Sequence, residues 1–480
     1  MRTDDDPRRR LTRMLRAERS STRNKFTMTR VLLFGFGPLP GEGGHALAPA
    51  LRTWHFAQAL LGAGHEVCLF AKPMGTSEQT RERISTTRGR GPLTVHHLLA
   101  DASPAELRRI ADGWHAECAI GICMAGASTA ARVVKDLPLW ADLYGSAPAE
   151  AQLKAKLHGD DGYLRYFVLD ELRAVQRADA FSCVSERQMW SLIGELGLCG
   201  RLNHWTAGYS FATVIPAATD ATPFNAPHRM IRGRVVPEDA FVILHSGGYN
   251  TWYDVETLFQ ALERVMAAHA EVHFVSTGGP LPGHDECTYE RLRALIAGSR
   301  HQERYHLQGW IPAEDLAGHY LESNVGVISD RPSYEAQLGS RTRVLDWLRA
   351  ELPCVLSDLP ELAADVATAQ AGLTYRAGDV ESLAACLNRC AADRAETSTM
   401  GRRGRQLLLE RYTYTATTGP LLSWVAAPQH APDYARAYPH FVRGPSQSLL
   451  ALRSRIGRQA LKVRAARAAW HTIKRVASRT

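Results

Sequence analysis

Short, uninterrupted apolar runs alternate with helical patterns along most of the chain. The run Arg30–Gly35 leads into a glycine-rich segment and a helical repeat of apolar residues, which ends at 62–64, and the run His65–Phe70 follows. Strand, glycine-rich loop, helix and strand in this order predict a parallel βαβ unit. Further strands are predicted at Leu93–Leu98, Ala119–Cys123, Leu137–Ala141 and Ala180–Val184. Apolar strands separated by helices predict a parallel sheet covered on both faces.

The pattern breaks at Ile215 into a turn-rich connector, after which a second series of the same kind begins. Its predicted strands are Phe241–His245, Val272–Ser276, Val325–Ser329, Pro353–Ser357 and Ala371–Tyr375. Its predicted helices are 254–268, Arg341–Arg349 and Val380–Cys390. The fold class predicted is therefore α/β, with two doubly wound domains in series and a cleft between them. In such sheets, ligands bind at the carboxyl ends of the strands.

The two ends of the chain differ from this body. The predicted organisation is a basic, disordered arm at 1–29, a first domain at 30–215, a linker at 216–238, a second domain at 239–408, crossover helices at 409–442 and a basic tail at 443–480. In the tail, apolar residues recur at steps of three and four from Leu449 to Val463, which predicts an amphipathic helix.

The net charge also differs between the two ends of the chain and its body. Residues 1–30 carry +6 and residues 443–480 carry +10, so the body carries −8 within a total of +8. An acidic body argues against a nucleic-acid enzyme, which needs a basic groove. The basic tail contains Trp470 and no acid, and this composition favours an anionic membrane surface. A solvated or partner-bound tail is the alternative.

The cellular location follows from what the chain lacks. It has no apolar run of transmembrane length and no apolar core behind its Arg-rich start. Its nine cysteines are an odd number without metal-type clusters, which indicates reduced thiols. We expect a cytoplasmic protein that lies at the inner face of the membrane.

Four loops of the second half combine glycine with polar groups: Ser246–Asn250, Thr277–Gly279, Asp330–Ser340 and Ser357–Leu362. Glycine allows the backbone to approach a ligand, and the helix after each loop directs its positive end towards it. These loops predict a phosphate or diphosphate site. Its candidate residues are Gly247, Gly248, Asn250, Gly278, Gly279, Glu335, Gln337, Gly339, Ser340, Arg341, Thr342, Arg343 and Asp346.

Within this set, the side chains suggest separate roles. Arg341 and Arg343 open a helix, where their guanidinium groups could neutralise a diphosphate. Asp346 could accept hydrogen bonds from a ribose diol, and Glu335 and Gln337 from sugar hydroxyls. The alternative is that Arg343 and Asp346 form a surface ion pair and that Glu335 is a solvated loop residue.

The segment Arg341–Asp358 resembles the donor site of GT-B glycosyltransferases of the family 4 type (glycosyl transferases group 1). The glycine-rich loop after Gly35 and the strand start at Gly64–Val67 resemble the same family, and the likeness covers about residues 30–430. It implies two Rossmann-like domains facing each other, a nucleotide-sugar donor, and neither cofactor nor metal. A C-terminal stretch, Tyr412–Val425, is similar to the family's helix that crosses back to the first domain.

Position by position, the resemblance places Asp346 at the family's ribose-binding glutamate and Glu335 at its sugar-binding glutamate. Two departures stand out. The separation of these residues is eleven rather than eight, and Gly248 and Tyr253 occupy positions where the family often has an Arg and a Lys for the diphosphate. Arg341 and Arg343, with Arg331 as a third candidate, are the nearest replacements.

The resemblance also implies retention at the anomeric carbon, with the leaving diphosphate accepting the proton of the acceptor. The protein then positions both substrates and stabilises the leaving charge. We predict catalytic roles for Asp142, Glu335, Arg341 and Arg343. Asp142 follows a predicted strand and could orient the acceptor hydroxyl, or it could cap the next helix. Further acceptor-side candidates lie in the first glycine-rich loop: Gly41, Glu42, Gly43, Gly44 and His45.

Taken together, the sequence predicts a glycosyltransferase that acts on a lipid-linked, cell-surface glycan. Transfer to a soluble metabolite or protein is an alternative, and a non-catalytic nucleotide-sugar-binding protein is another. A dinucleotide-dependent oxidoreductase is disfavoured, because the strand at 65–72 ends in Lys72 instead of the acid that the nucleotide ribose requires.

Overall fold

The computed structural model describes residues 28–42, 47–74, 84–88, 92–98, 102–226 and 228–436, with main chain alone in 84–88. Most of the predicted arm, the whole predicted tail, and Gly43, Gly44 and His45 lie outside these residues. Within them, no helix is both long enough and apolar enough to cross a membrane.

The first domain is built on an eight-stranded sheet in the order β3-β4-β2-β1-β5-β6-β7-β8. Its strands are β1 (Arg30–Gly37), β2 (Glu66–Pro73), β3 (Ile84–Arg88), β4 (Leu93–Leu98), β5 (Cys118–Ile122), β6 (Leu139–Leu143), β7 (Ala180–Cys183) and β8 (Ala212–Val214). Its helices are α1 (Ala48–Gly62), α2 (Pro104–Trp114), α3 (Cys123–Val133), α4 (Ala147–His158), α5 (Gly162–Arg177) and α6 (Glu186–Leu198). All neighbours pair in parallel except β3 with β4.

The second domain is built on a six-stranded sheet in the order β11-β10-β9-β12-β13-β14, which is parallel throughout. Its strands are β9 (Phe241–Ser246), β10 (Val272–Thr277), β11 (Tyr305–Gly309), β12 (Val325–Ile328), β13 (Cys354–Ser357) and β14 (Gly372–Tyr375). Its helices are α7 (Val255–Ala268), α8 (Cys287–Ala297), α9 (Leu316–Glu322), α10 (Tyr334–Leu338), α11 (Thr342–Arg349), α12 (Glu361–Thr368), α13 (Val380–Ala392) and α14 (Arg394–Arg411).

Each sheet is covered on both faces, as the apolar runs require. Successive residues of β1 enter opposite cores: Leu32 and Phe34 lie in one, and Val31 and Leu33 in the other. The second domain repeats this alternation along β9. The predicted fold class, two Rossmann-like domains of the GT-B type, is confirmed.

After α14 the chain returns to the first domain through α15 (Tyr414–Thr417) and α16 (Gly419–Ala426). α15 packs against α1, and Leu421 and Val425 of α16 are buried in the core of the first domain. Thr29 at the start of the described chain donates from its hydroxyl to the carbonyl of Val425 at 3.1 Å. The C-terminal helices therefore join the two domains a second time.

One strand boundary differs from the sequence prediction and moves a candidate residue. The predicted strand Leu137–Ala141 is shifted, because β6 spans Leu139–Leu143. Asp142 thus lies inside the strand and not after it. A carboxylate is tolerated in this buried strand because a buried arginine neutralises it, as described below.

Candidate functional site between the two domains

The carboxyl ends of the second sheet carry the polar loops that the sequence singled out. β9 ends at Ser246 before Gly247-Gly248, and β10 ends at Thr277 before Gly278-Gly279. Since the strands are parallel neighbours, both glycine pairs lie at the same edge of the sheet.

The two glycine pairs are pressed together. Gly247 has φ +87°, and it donates its N–H to the carbonyl of Thr277 at 2.7 Å. A Cβ on Gly278 would lie 2.0 Å from the carbonyl oxygen of Gly247, so only glycine fits there. A side chain on Gly248 would collide with Leu281. The sequence thus builds a surface formed by backbone and not by side chains, and the role of these glycines towards a ligand stays a prediction.

Arg343 lies against this loop. Its Nη1 contacts Nε2 of His245 at 3.1 Å and donates to the carbonyl of Ser246, and its Nη2 is 3.4 Å from the carbonyl of Gly248. Its guanidinium also lies over the ring of Tyr253, 5.1 Å from the centroid. Burial, with the charge of Arg343, lowers the pKa of His245 to about 3, so the imidazole is neutral. Arg343 remains partly exposed and places a positive charge beside the glycine pairs.

Arg341 has a different environment, although it precedes Arg343 by only two residues. Its Nε donates to Asp330 Oδ1 at 2.9 Å, and its Nη1 and Nη2 donate to the two oxygens of Glu335 at 3.2 and 3.0 Å. All three side chains are buried. Ser357 donates to the other oxygen of Asp330 at 2.8 Å. The trio carries a net charge of −1, so Arg341 is not a free cation for a diphosphate in this conformation.

This trio also fixes Glu335. The residue lies in the short helix α10, whose first turn Ser333 caps by accepting from the N–H of Ala336. Burial raises the pKa of Glu335, and the adjacent Arg341 only partly offsets it. The alternative of a solvated loop residue is therefore wrong, and the carboxylate is a positioned group at the domain boundary.

Asp346 faces the connector between the domains. It accepts from the hydroxyl of Thr219 at 2.8 Å, and burial raises its pKa, which that hydrogen bond partly offsets. No ion pair joins Asp346 to Arg343 within the described residues, so the expected alternative of a surface pair on this helix is also wrong. A role of Asp346 towards a ribose stays a prediction.

The remaining donor-side candidates lie at the edges of this site. Gln337 is exposed, whereas Gly339 is buried and leaves no room for a side chain beside Glu335 Oε1. Asn250 accepts from the N–H of Thr251 at 2.9 Å. Ser340 is half-buried and lines a cavity of about 380 Å³ between the domains.

In the first domain, Asp142 is fully buried. Arg52 donates to its two oxygens at 2.9 and 2.7 Å, and Ser182 donates to Oδ1 at 2.6 Å. The same guanidinium donates to the carbonyls of Ile215 and Pro216, both at 2.7 Å. Since both oxygens are occupied, the expected contact of Asp142 with an acceptor hydroxyl is not supported. Its observed role is to hold Arg52, which anchors the start of the connector.

The first glycine-rich loop is described only in part. Gly41 has φ +89°, and Glu42 accepts from the N–H of Leu39 at 2.7 Å and lies 3.4 Å from His97 Nε2. These contacts fold the loop on itself at the carboxyl end of β1. Their acceptor-side role stays a prediction.

The two domains touch through groups that the sequence analysis missed. The hydroxyl of Tyr144 forms a hydrogen bond with Thr342 at the start of α11, and the hydroxyl of Tyr163 donates to the carbonyl of Gly283 at 2.8 Å. Tyr144 follows β6 directly, so its place at a strand end could have identified it. Lys154 lies in α4, the helix that follows Tyr144. The sequence did not single it out, because a lone lysine in an amphipathic helix is usually solvated.

No cluster of three or more His, Cys, Asp or Glu side chains suitable for a metal ion occurs in the part of the chain that the structure describes.

Comparison with known proteins supports the predicted class, a glycosyltransferase. Residues 240–393, which include all of these donor-side loops, match the family described as Glycosyl transferases group 1. The comparison with curated protein sequences gives no match. The resemblance drawn from Arg341–Asp358 is confirmed.

Solved structures share the fold over most of the chain. Sucrose-phosphate synthase from Thermosynechococcus elongatus is similar with a TM-score of 0.64 and 16% identity, and the match covers 84% of this chain and 100% of that one. Anabaena HepE in complex with UDP and glucose is similar with a TM-score of 0.59 and 15% identity, and the match covers 84% of this chain and 100% of that one. A UDP-forming trehalose-phosphate synthase from Burkholderia xenovorans, in complex with glucose-6-phosphate, has a TM-score of 0.59 and 13% identity. That match covers 83% of this chain and 100% of the synthase. At these identities the likeness shows the fold.

Proposed function

We propose that this chain, which matches the family Glycosyl transferases group 1 at 240–393 and shares its fold with solved glycosyltransferases, transfers a sugar from a nucleotide-diphosphate donor with retention. The observation that carries the proposal is the pair of interlocked glycine loops with Arg343 beside them, at the carboxyl edge of the second sheet. Close backbone approach and a positive side chain together suit a diphosphate.

The chemistry follows from what the positioned groups can do. Arg343 stabilises the charge that develops on the leaving diphosphate, which is the step at which a preorganised cation has most effect. Glu335, held by Arg341, accepts hydrogen bonds from hydroxyls of the donor sugar, and Asp346 accepts them from the ribose. The leaving phosphate takes the proton of the acceptor, so no separate base is required. We propose that side chains alone balance the charge, without a metal.

The acceptor has two candidates. The basic amphipathic tail, which lies outside the described residues, favours a lipid-linked glycan at an anionic membrane surface. Two of the similar structures are named as synthases of sucrose phosphate and trehalose phosphate, and these names favour a soluble sugar phosphate. We propose the lipid-linked glycan first and the sugar phosphate as the alternative.

The donor is tested by thermal unfolding with UDP, GDP, ADP, CMP and dTDP, followed by transfer and hydrolysis assays with the matching nucleotide sugars. A ligand that binds the native state raises the unfolding temperature in proportion to its affinity. We expect one nucleoside diphosphate to stabilise the protein and its sugar conjugate to be consumed. A protein that binds but never turns over would be a non-catalytic binding protein, and the proposal would be wrong.

The acceptor is tested by sedimentation with anionic vesicles, using the full chain and a variant that lacks 446–480. Loss of binding in the shortened variant supports the membrane-associated acceptor. Equal sedimentation of both proteins removes the argument from the tail and favours the soluble sugar phosphate, which glucose-6-phosphate and fructose-6-phosphate then test directly as acceptors.

A further inference from the structure

Lys154 is a buried cation where the two domains meet. It lies in α4 of the first domain and its side chain is completely buried. Its ammonium has no hydrogen-bond partner among the described residues. Glu150 Oε1, one turn earlier, is 3.6 Å from Nζ, which is an ion-pair distance but too long for a hydrogen bond. Three N–H donors are therefore without an acceptor, which is a costly arrangement for a buried charge.

The surroundings of Lys154 belong to both domains. α4 packs against α10, the helix that carries Glu335. Tyr163, whose ring lies 5.7 Å from Nζ, donates its hydroxyl to the carbonyl of Gly283 in the loop after β10. Burial lowers the pKa of His284 in that loop, and the charge of Lys154 lowers it further. Lys154 thus lies beside groups of the first domain that contact the donor-side loops of the second.

The loop after β10 links Lys154 to the glycine pairs. It runs from Gly279 to Asp285, and the N–H of Leu281 donates to the carbonyl of Asp285 at 2.8 Å, which folds it into a compact turn. Leu281 at one end lies against Gly248, while Gly283 at the other end accepts from the hydroxyl of Tyr163, whose ring lies beside Lys154. One turn therefore contacts both the interlocked glycines and the tyrosine that lies beside the lysine.

The described residues of the second domain offer little unpaired positive charge at the glycine pairs. Arg331, the third predicted guanidinium, pairs with Glu256 at 2.7 Å. Asp330 and Glu335 neutralise Arg341, and Gly248 and Tyr253 stand where the resemblance places an Arg and a Lys. Of Arg341 and Arg343, only Arg343 lies beside the glycine pairs. A nucleoside diphosphate carries at least two negative charges, so a second cation has to come from elsewhere.

We propose that Lys154 binds the diphosphate of the donor from the first domain and supplies this second positive charge. The inference rests on the proposed nucleotide-sugar donor. An ammonium with three rotatable donors suits phosphate oxygens, and the bond would connect the first domain to a ligand held by the second. The donor would then close the cleft by bridging Lys154 and Arg343.

The test compares Lys154→Met with Lys156→Met, which removes an exposed lysine from the same helix. Calorimetry measures the affinity for the nucleoside diphosphate that stabilises the wild type and for the corresponding nucleoside. We expect Lys154→Met to weaken diphosphate binding about 10- to 100-fold, because a charge-assisted hydrogen bond is lost, and to leave nucleoside binding unchanged. Lys156→Met should change neither affinity.

Equal diphosphate affinity in the wild type and Lys154→Met overturns this inference and leaves the proposed function intact. If the wild type binds none of UDP, GDP, ADP, CMP and dTDP, the proposed function itself is wrong. Lys154→Arg keeps the charge on a bulkier side chain, and we expect its diphosphate affinity to exceed that of Lys154→Met. A loss as large as that of the Met variant would show that packing, not charge, is responsible.

A structure of the wild-type protein with the same diphosphate tests the contact without any variant. A phosphate oxygen within about 3.2 Å of Nζ supports the inference. A diphosphate bound at the glycine pairs with every oxygen beyond hydrogen-bond distance from Nζ overturns it.

Discussion

Arg341 and Arg343 enter the same helix two residues apart, yet their surroundings give them different tasks. Arg341 is enclosed by two carboxylates and holds the site together, whereas Arg343 keeps one side towards the cleft and lies on the glycine loop. The sequence alone predicted both as diphosphate ligands. It could not separate them, because the partners of Arg341 are placed by the ends of different elements.

Replacing Arg343 with Met should reduce the rate of sugar transfer by about 100-fold, because one preorganised cation at a developing charge contributes about 3 kcal/mol. The control is Arg402→Met, which removes an exposed arginine from α14. Steady-state kinetics over a range of donor concentrations separates kcat from KM. An unchanged kcat would show that Arg343 does not act on the leaving group.

Arg341→Met should act on stability instead. The substitution leaves Asp330 and Glu335 buried with no compensating charge, and breaking such a pair costs about 3–5 kcal/mol. Urea unfolding measures the loss, and the double variant Arg341→Met/Glu335→Gln should recover part of it. A single variant as stable as the wild type would contradict the ion-pair account.

At the scale of whole elements, the strands that the sequence predicted are the interior ones, together with β14 at one edge. The strands that it missed are β3, β8 and β11, and each lies at the edge of its sheet. β11 reads Tyr-His-Leu-Gln-Gly and β3 reads Ile-Ser-Thr-Thr-Arg, so neither has the continuous apolar pattern of a strand buried on both faces. The glycine loops were predictable because glycine itself signals close backbone approach. Lys154 and Arg52 were not, since their importance arises from packing between elements.

The contact between the two glycine loops makes a prediction about them as a unit. Gly278→Ala would place a Cβ 2.0 Å from the carbonyl oxygen of Gly247, so the loops must separate, at a cost of about 1–3 kcal/mol. We expect weaker diphosphate binding and a lower unfolding temperature. Gly194→Ala in α6 meets no atom within 4 Å and should be neutral or slightly stabilising. Equal diphosphate affinity in both variants would contradict a ligand role of these loops.

The packing of α5 on α6 makes stability depend on pH. Glu171 is buried, and burial raises its pKa, with a further contribution from the charge of Glu195. Burial raises the pKa of Glu195 to about 7. Between pH 4.5 and 7 the folded protein therefore retains a proton that the unfolded chain has lost. This contribution to stability is complete below pH 4.5 and lost as the pH rises through 7.

Urea unfolding at pH 5 and pH 8 measures this dependence. The shift of Glu195 corresponds to a loss on the order of 3 kcal/mol over the window. Glu195→Gln should flatten the change and be more stable than the wild type at pH 8. The control Glu410→Gln, on the exposed side of α14, should keep the wild-type dependence. A steeper fall in Glu195→Gln would contradict the assignment.

For the whole molecule, the fold brings the carboxyl edges of two sheets together, and hydrogen bonds between the domains join them. They include Tyr144 with Thr342 and Tyr163 with Gly283. The carboxylate of Glu361 in α12 also accepts from the N–H of Glu186, at the start of α6. The body of the chain carries −8, while the site needs positive charge. The domains can supply that charge jointly, because Lys154 belongs to the first domain and Arg343 to the second. A bound donor then adds a further connection between the domains.

Glu361 offers a direct test of closure, because its carboxylate accepts from the N–H groups of Glu186 and Arg187, at 3.2 and 3.3 Å, across the domain boundary. An anion at a helix N-terminus contributes about 0.3–1 kcal/mol, and two hydrogen bonds add to it. Glu361→Ala should therefore enlarge the radius of gyration measured by small-angle X-ray scattering without donor, and saturating nucleoside diphosphate should restore it. Glu410→Ala should scatter like the wild type. If Glu361→Ala scatters like the wild type without donor, the contact does not set the closed arrangement; if it stays open with saturating diphosphate, the donor does not bridge the domains.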